Sequence, residues 1–203
     1  PEQYNLQLKA ACEVAHAKGI KCTNGGMVSS LVALLVYNNY LEIGEFSKAQ
    51  SFSERAFELR IRQKLGSAKF KEQVDKGKAL LKVYKTAGID YMNFHWYIPD
   101  QAALKEAVEY LKDQTGLPLI TNEIGQQNDS PKTTRDLMSG VIELGIPYAV
   151  WFSIDAPKAR ALIDPDGSLR NTGEIFKNFI NSGYFLELTP SSAEQIKTGQ
   201  HRT

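Results

Sequence analysis

The stretch PLITNEIG, residues 118–125, puts a carboxylate where chemistry is often done. A proline opens it, strand-forming residues follow, and Asn122-Glu123 comes just before Gly125, so a short apolar strand ends on a carboxylate and a turn. Three other strand-like segments end on Asn24-Gly25-Gly26, on Phe94-His95-Trp96-Tyr97 and on Trp151-Phe152-Ser153. In parallel α/β sheets functional groups gather at the carboxyl ends of strands. A carboxylate, an imidazole, a phenol and two indoles would then share one rim. Sugar sites use this mixture, because aromatic faces cover the C–H faces of a pyranose while polar tips take its hydroxyls. Cleaving a glycosidic bond needs two carboxyl groups flanking the anomeric centre, one as acid and the other as nucleophile or base.

The elements that must position these groups alternate along the chain. Residues 2–18 carry Leu6, Ala10, Val14 and Ala17 at helical spacing and stop at Gly19. IKCTNGG reads as a short strand, 27–41 as an apolar helix, and 51–65 with 67–87 as one or two amphipathic helices broken at Gly66 and stopped at Gly88. Residues 89–97 read as a strand, and Asp100 caps a helix that ends at Gly116. After the strand LPLITNE, Ser130 and Pro131 start a helix that stops at Gly145, and IPYAVWFSI is the fourth strand. DPDG at 164–167 is a turn, and a last helix covers about 172–181. The tail carries the apolar YFLEL, then Ser191 and Glu194 at capping-box spacing before a short helix. Short apolar strands separated by helices predict right-handed parallel βαβ units.

Bulk properties narrow the partners. With 24 basic and 23 acidic residues the chain lacks the basic stripe that nucleic-acid binding needs. The most apolar run, Met27 to Tyr37, is too short for a membrane span. The chain starts at Pro1 without a signal peptide and reads as a processed chain or a fragment. Cys12 and Cys22 could pair, but two thiols in a chain of this size read first as small buried residues.

The segments IDYMNFHWY, GLPLITNEIG and PYAVWFSID, the last continuing to ALIDPDGSLRNTGEIFKNFI, resemble the last three βα units of clan A glycoside hydrolases. Those are retaining (β/α)8-barrel enzymes. The opening PEQYNLQLKAACEVAHAKGIKCTNGG is similar to helix four running into strand five of the same barrel. The resemblance implies an α/β fold of TIM-barrel-like units with four parallel strands, the carboxyl half of a barrel, over residues 1–186, with 187–203 as a tail. It implies Glu123 as nucleophile, His95 or Tyr97 beside it, Trp151 as the floor of a sugar subsite and Asn122 as a further substrate contact, with no cofactor or metal. The family's acid/base is the glutamate of an Asn-Glu pair ending strand four, whereas Asn122-Glu123 is the only such pair here. The acid, and the cover for a half-sheet with open edges, would come from an absent amino half or from a second copy of the chain. The substrate implied is a β-linked oligo- or polysaccharide and the setting extracytoplasmic; the alternative is a non-catalytic carbohydrate-binding or structural half-barrel.

The remaining candidates read as structural. Trp96 alternates away from His95 and packs against helices. Asn24 and its two glycines make a turn. Glu42 and Glu45 are solvent carboxylates and remote substitutes for the acid. His16 faces solvent on a helix, and the basic run at 60–78 is a solvated helix face.

Overall fold

A computed structural model describes residues 2–155 and 160–182. The apolar YFLEL, the capping-box pair Ser191 and Glu194, and the tail 187–203 lie outside the described residues. In order, the elements are α1 (Glu2–His16), α2 (Ser29–Glu42), α3 (Phe46–Ala56), α4 (Leu59–Arg62), α5 (Ala68–Thr86), β1 (Met92–Trp96), α6 (Gln101–Thr115), β2 (Leu119–Ile124), α7 (Pro131–Glu143), β3 (Ala149–Trp151) and α8 (Asn171–Asn181). The sheet is parallel, in the order β1-β2-β3.

Four strands were expected, and among the described residues three form. The segment predicted as the first strand makes only two isolated parallel bridges to β1, Thr23 with Tyr91 and Met27 with Phe94. Three residues separate the bridges on one side and two on the other, so the ladder cannot stay in step. Asn24 fills the gap with its side chain. Its Oδ1 accepts from Asn93 N at 2.6 Å and its Nδ2 donates to Asn93 O at 2.8 Å, while Asn93 Nδ2 donates to Asn24 O at 3.2 Å. Asn24 is buried, and an amide pair replaces backbone pairing there. Its role is thus more than a turn.

Local chemistry accounts for both ends of α6 and the start of α7. Asp100 caps α6 by accepting from Ala103 N at 2.7 Å, and Gly116 closes it in the left-handed conformation at φ 70°. Pro131 occupies the start of α7, although the Ser130 side chain makes no capping bond. The stretch expected as one or two helices between 51 and 87 holds parts of three, α3, α4 and α5, and α3 starts earlier, at Phe46. The first break falls at Phe57, which is extended and sets its ring edge-on to Tyr37 and Phe52 at 6.4 Å. Burying that ring outweighs helix continuity.

The helices cover one face of the sheet. Met92, Phe94 and Trp96 on β1 are fully buried, as are Leu119, Thr121 and Ile124 on β2, and they pack with Leu104, Leu111 and Leu137 of the helix layer. Trp96 therefore packs as expected. The apolar helix α2 contributes Val32 to Val36, all buried. The opposite face is open, with Tyr148 and Val150 more than half exposed. No helix among the described residues is long and apolar enough to cross a membrane.

Cys12 and Cys22 form a disulfide, Cα to Cα 5.3 Å, which corrects the expectation of two separate thiols. Sequence spacing could not reveal that the turn after α1 brings the two cysteines together. Asp90, just before β1, closes the same corner. Its carboxylate accepts from Cys22 N at 2.7 Å and from Lys21 Nζ at 2.9 Å, and lies 2.8 Å from His16 Nε2. His16 is thus half-exposed but paired, and these bonds, the backbone one foremost, hold the Asp90 carboxyl well below its ordinary range.

Candidate active site

A break in strand alternation positions Glu123. Leu119 and Thr121 point into the helix layer, so strict alternation would also bury residue 123. The registers show otherwise: Asn93 pairs with Ile120 and His95 with Glu123, while on the other side Thr121 pairs with Ala149 and Ile124 with Trp151. Both pairings skip one residue of β2, and the shared interval centres on Asn122. This β-bulge turns Glu123 to the open face and returns Ile124 to the core. Asn93 holds the bulge, its Oδ1 accepting from Asn122 N at 3.0 Å. The amide pair that spoils the first strand thereby also sets the carboxylate.

Tyr97 Oη donates to Glu123 Oε1 at 2.5 Å, and His95 Nδ1 lies 3.3 Å from Oε2. Tyr97 thus hydrogen-bonds one carboxylate oxygen, while the His95 ring stands within ion-pair distance of the other. Burial, and then the bond to Glu123, pushes the Tyr97 phenol above its ordinary value, so it stays a donor across the physiological range. The Glu123 side chain keeps about a third of its surface accessible and His95 about a sixth, which leaves the carboxylate reachable and its partner sheltered.

Two glycines let these groups approach. A Cβ on Gly26 would lie 2.2 Å from His95 Nε2, and Gly26 also has φ 97°. A Cβ on Gly125 would meet the Phe152 carbonyl oxygen at 2.3 Å and Tyr97 Cε1 at 3.2 Å. The glycine after the carboxylate in PLITNEIG thus does more than turn the chain. It lets the end of β3 close on β2, where Phe152 N donates to Ile124 O at 2.8 Å.

The structure brings together Glu123, His95 and Tyr97, with Asn122 exposed on the adjoining bulge. It does not bring Trp151 to them. Trp151 shares the helix-side register of Ile124, and its ring packs against Phe176 of α8 at 5.5 Å, lining an apolar pocket of about 320 Å³ with Ile154, Leu162, Leu169 and Ile180. The aromatic on the carboxylate side is Phe152, edge-on to Tyr97 at 6.3 Å and 39% exposed. The sequence signal for Phe152 was the alternation Tyr148, Val150, Phe152. Arg160, after β3, sets its guanidinium 4.7 Å above the Tyr97 ring, and no sequence pattern singled it out. Glu42 and Glu45 are exposed and pair with Lys78 and Lys48, as solvent carboxylates do.

Chemically, this is a carboxylate held by a phenol hydrogen bond and flanked by an imidazole, beside an aromatic edge, at the carboxyl end of a parallel strand. Among the described residues no group of three or more His, Cys, Asp or Glu is placed to hold a metal ion. A family model described as a glycosyl hydrolase catalytic core matches residues 57–176, more than half of the chain. Comparison with curated proteins and with solved structures gives no match.

Proposed function

Because the chain belongs to the glycosyl hydrolase catalytic core family, we propose that it supplies the nucleophile side of a retaining β-glycosidase site of the clan A type, with Glu123 as the nucleophile. The observation that carries this reading is the two-point grip on Glu123 by Tyr97 and His95, at the open end of β2. A carboxylate held in place at the end of a parallel strand is what attack on an anomeric carbon requires. Asn122 and Phe152 border the position a sugar would take, with Phe152 in the platform role expected of Trp151. In this reading the described strands belong to the carboxyl half of a (β/α)8 barrel. The acid/base carboxyl comes from an amino half or from a partner chain that covers the open sheet face, and the substrate is a β-linked oligo- or polysaccharide.

A probe with an activated leaving group tests the nucleophile without the missing acid. In a 2-deoxy-2-fluoro-β-glycosyl fluoride, a Glu123 oxygen forms a bond to C1 while the C1–F bond breaks and fluoride leaves with the electron pair. A panel of mono- and disaccharide probes, read by intact mass and peptide mapping, is expected to label Glu123. Glu123→Gln should take no label while keeping the circular dichroism of the parent. Label elsewhere, or undiminished label in the variant, removes the nucleophile assignment. Binding of the parent sugars without any label supports the non-catalytic carbohydrate-binding reading instead.

A further inference from the structure

Tyr97 touches the carboxylate at its oxygen, but its ring is held by three other groups. Gly125 gives room for the Cε1 edge, Phe152 meets the ring edge-on at 6.3 Å, and the Arg160 guanidinium lies over the face at 4.7 Å. Arg160 opens a well-anchored segment. The next two residues, Ala161 and Leu162, are buried; Leu162 N and Ile163 N both donate to Ile154 O, and Leu162 O accepts from Arg170 N. Thr172 Oγ1 donates to Ala161 O at 3.2 Å, and Gly173 lets α8 approach so closely that a Cβ there would lie 2.1 Å from Leu162 O. Residues 161–163 are thereby fixed to Ile154 and to the start of α8, with Arg160 directly before them.

We infer that Arg160 is a positioning residue for the nucleophile: it clamps the Tyr97 ring by a cation–π contact, so that the phenol O–H stays on Glu123 Oε1. Such contacts hold best where both partners are partly withdrawn from water, as Tyr97 and Arg160 are. Arginine suits the task because its planar cation lies flat on an aromatic face and never loses its charge. The catalytic part of this inference rests on Glu123 being the nucleophile. The clamp itself does not.

The test compares Arg160→Ala, Arg160→Met and Arg160→Lys in the full chain by two readouts. The first is the labelling of Glu123 by the fluoroglycosyl fluoride that labels the parent best. Arg160→Ala and Arg160→Met are expected to lower the maximal labelling rate about tenfold, a cost of about 1.4 kcal/mol in the barrier, with little change in the half-saturating concentration. Arg160→Lys, which keeps a cation, should recover most of the rate. The second readout is the NMR signal of the tyrosine ring carbons. That of Tyr97 should shift in the Ala and Met variants and return towards the parent in the Lys variant, while that of Tyr110, buried on α6, stays in place. Parental labelling rates in both uncharged variants, or a change confined to half-saturation, overturn the positioning role. An unmoved Tyr97 signal overturns the clamp, and this arm remains readable even if Glu123 takes no label. Arg160→Met keeps the apolar stem, so it carries the test should the alanine variant fold poorly.

Discussion

A methyl group on residue 26 meets two obstacles at once, a backbone at φ 97° and the His95 ring at 2.2 Å. The neighbouring Gly25 meets neither, with nothing within 4 Å of its would-be Cβ. Gly26→Ala should therefore cost about 2–3 kcal/mol from left-handed strain and forced repacking, and it should slow labelling of Glu123 by pushing His95 off Oε2. Gly25→Ala should be near neutral; denaturant unfolding of the two variants side by side checks both. At this scale the sequence was readable for residue type but not for contact. Glu123, His95 and Tyr97 stood out because a carboxylate, an imidazole and a phenol at strand ends are unusual. Gly26 and Gly125 looked like ordinary turn residues, since what they make room for comes from segments remote in the chain. Arg160 was silent for the same reason.

The element that aims the carboxylate is the bulge at Asn122, and its support is Asn93. That side chain accepts from Asn122 N and donates to Asn24 O. Asn93→Ala would leave a backbone donor and a buried backbone acceptor without these partners, at a cost of about 2–4 kcal/mol. It should also blunt Glu123 labelling more than a substitution of equal stability cost in the helix layer. Chemical denaturation and the labelling assay, run together, separate the two effects. Helix boundaries were largely legible because their signals are local: the Asp100 cap, Gly116, Pro131 and the DPDG turn each act within a few residues. Strand phase was not. Alternation assumes an unbroken ladder, and nothing in LITNEI marks the residue that breaks it. The expectation for Trp151 has a related origin, since it followed the strand-end position and the family resemblance and not the face the residue occupies.

Across the described residues, the βα order correctly implied a parallel sheet. Among the described residues three of the four expected strands form, because a side-chain amide pair stands in for the first ladder. The corner where α1 meets that segment carries a pH dependence. Asp90 has its carboxyl held below its ordinary value near 3.8 by Cys22 N–H first, then by His16 and Lys21. A carboxyl depressed in the folded state adds stability that is fully present above the unfolded value and fades as pH falls below it. Asp90→Asn should therefore lose stability at neutral pH and show a flatter acid limb, with the curves of parent and variant converging as pH drops from about 5 towards 2. Thermal midpoints across that range test the sign. The disulfide at the same corner has a practical corollary. A cytosol kept reducing by glutathione and thioredoxin would deliver the polypeptide as a dithiol, with α1 held to the segment around Cys22 by the intervening turn and noncovalent contacts alone, so material for the assays above is best secreted into an oxidising periplasm or refolded with a redox pair.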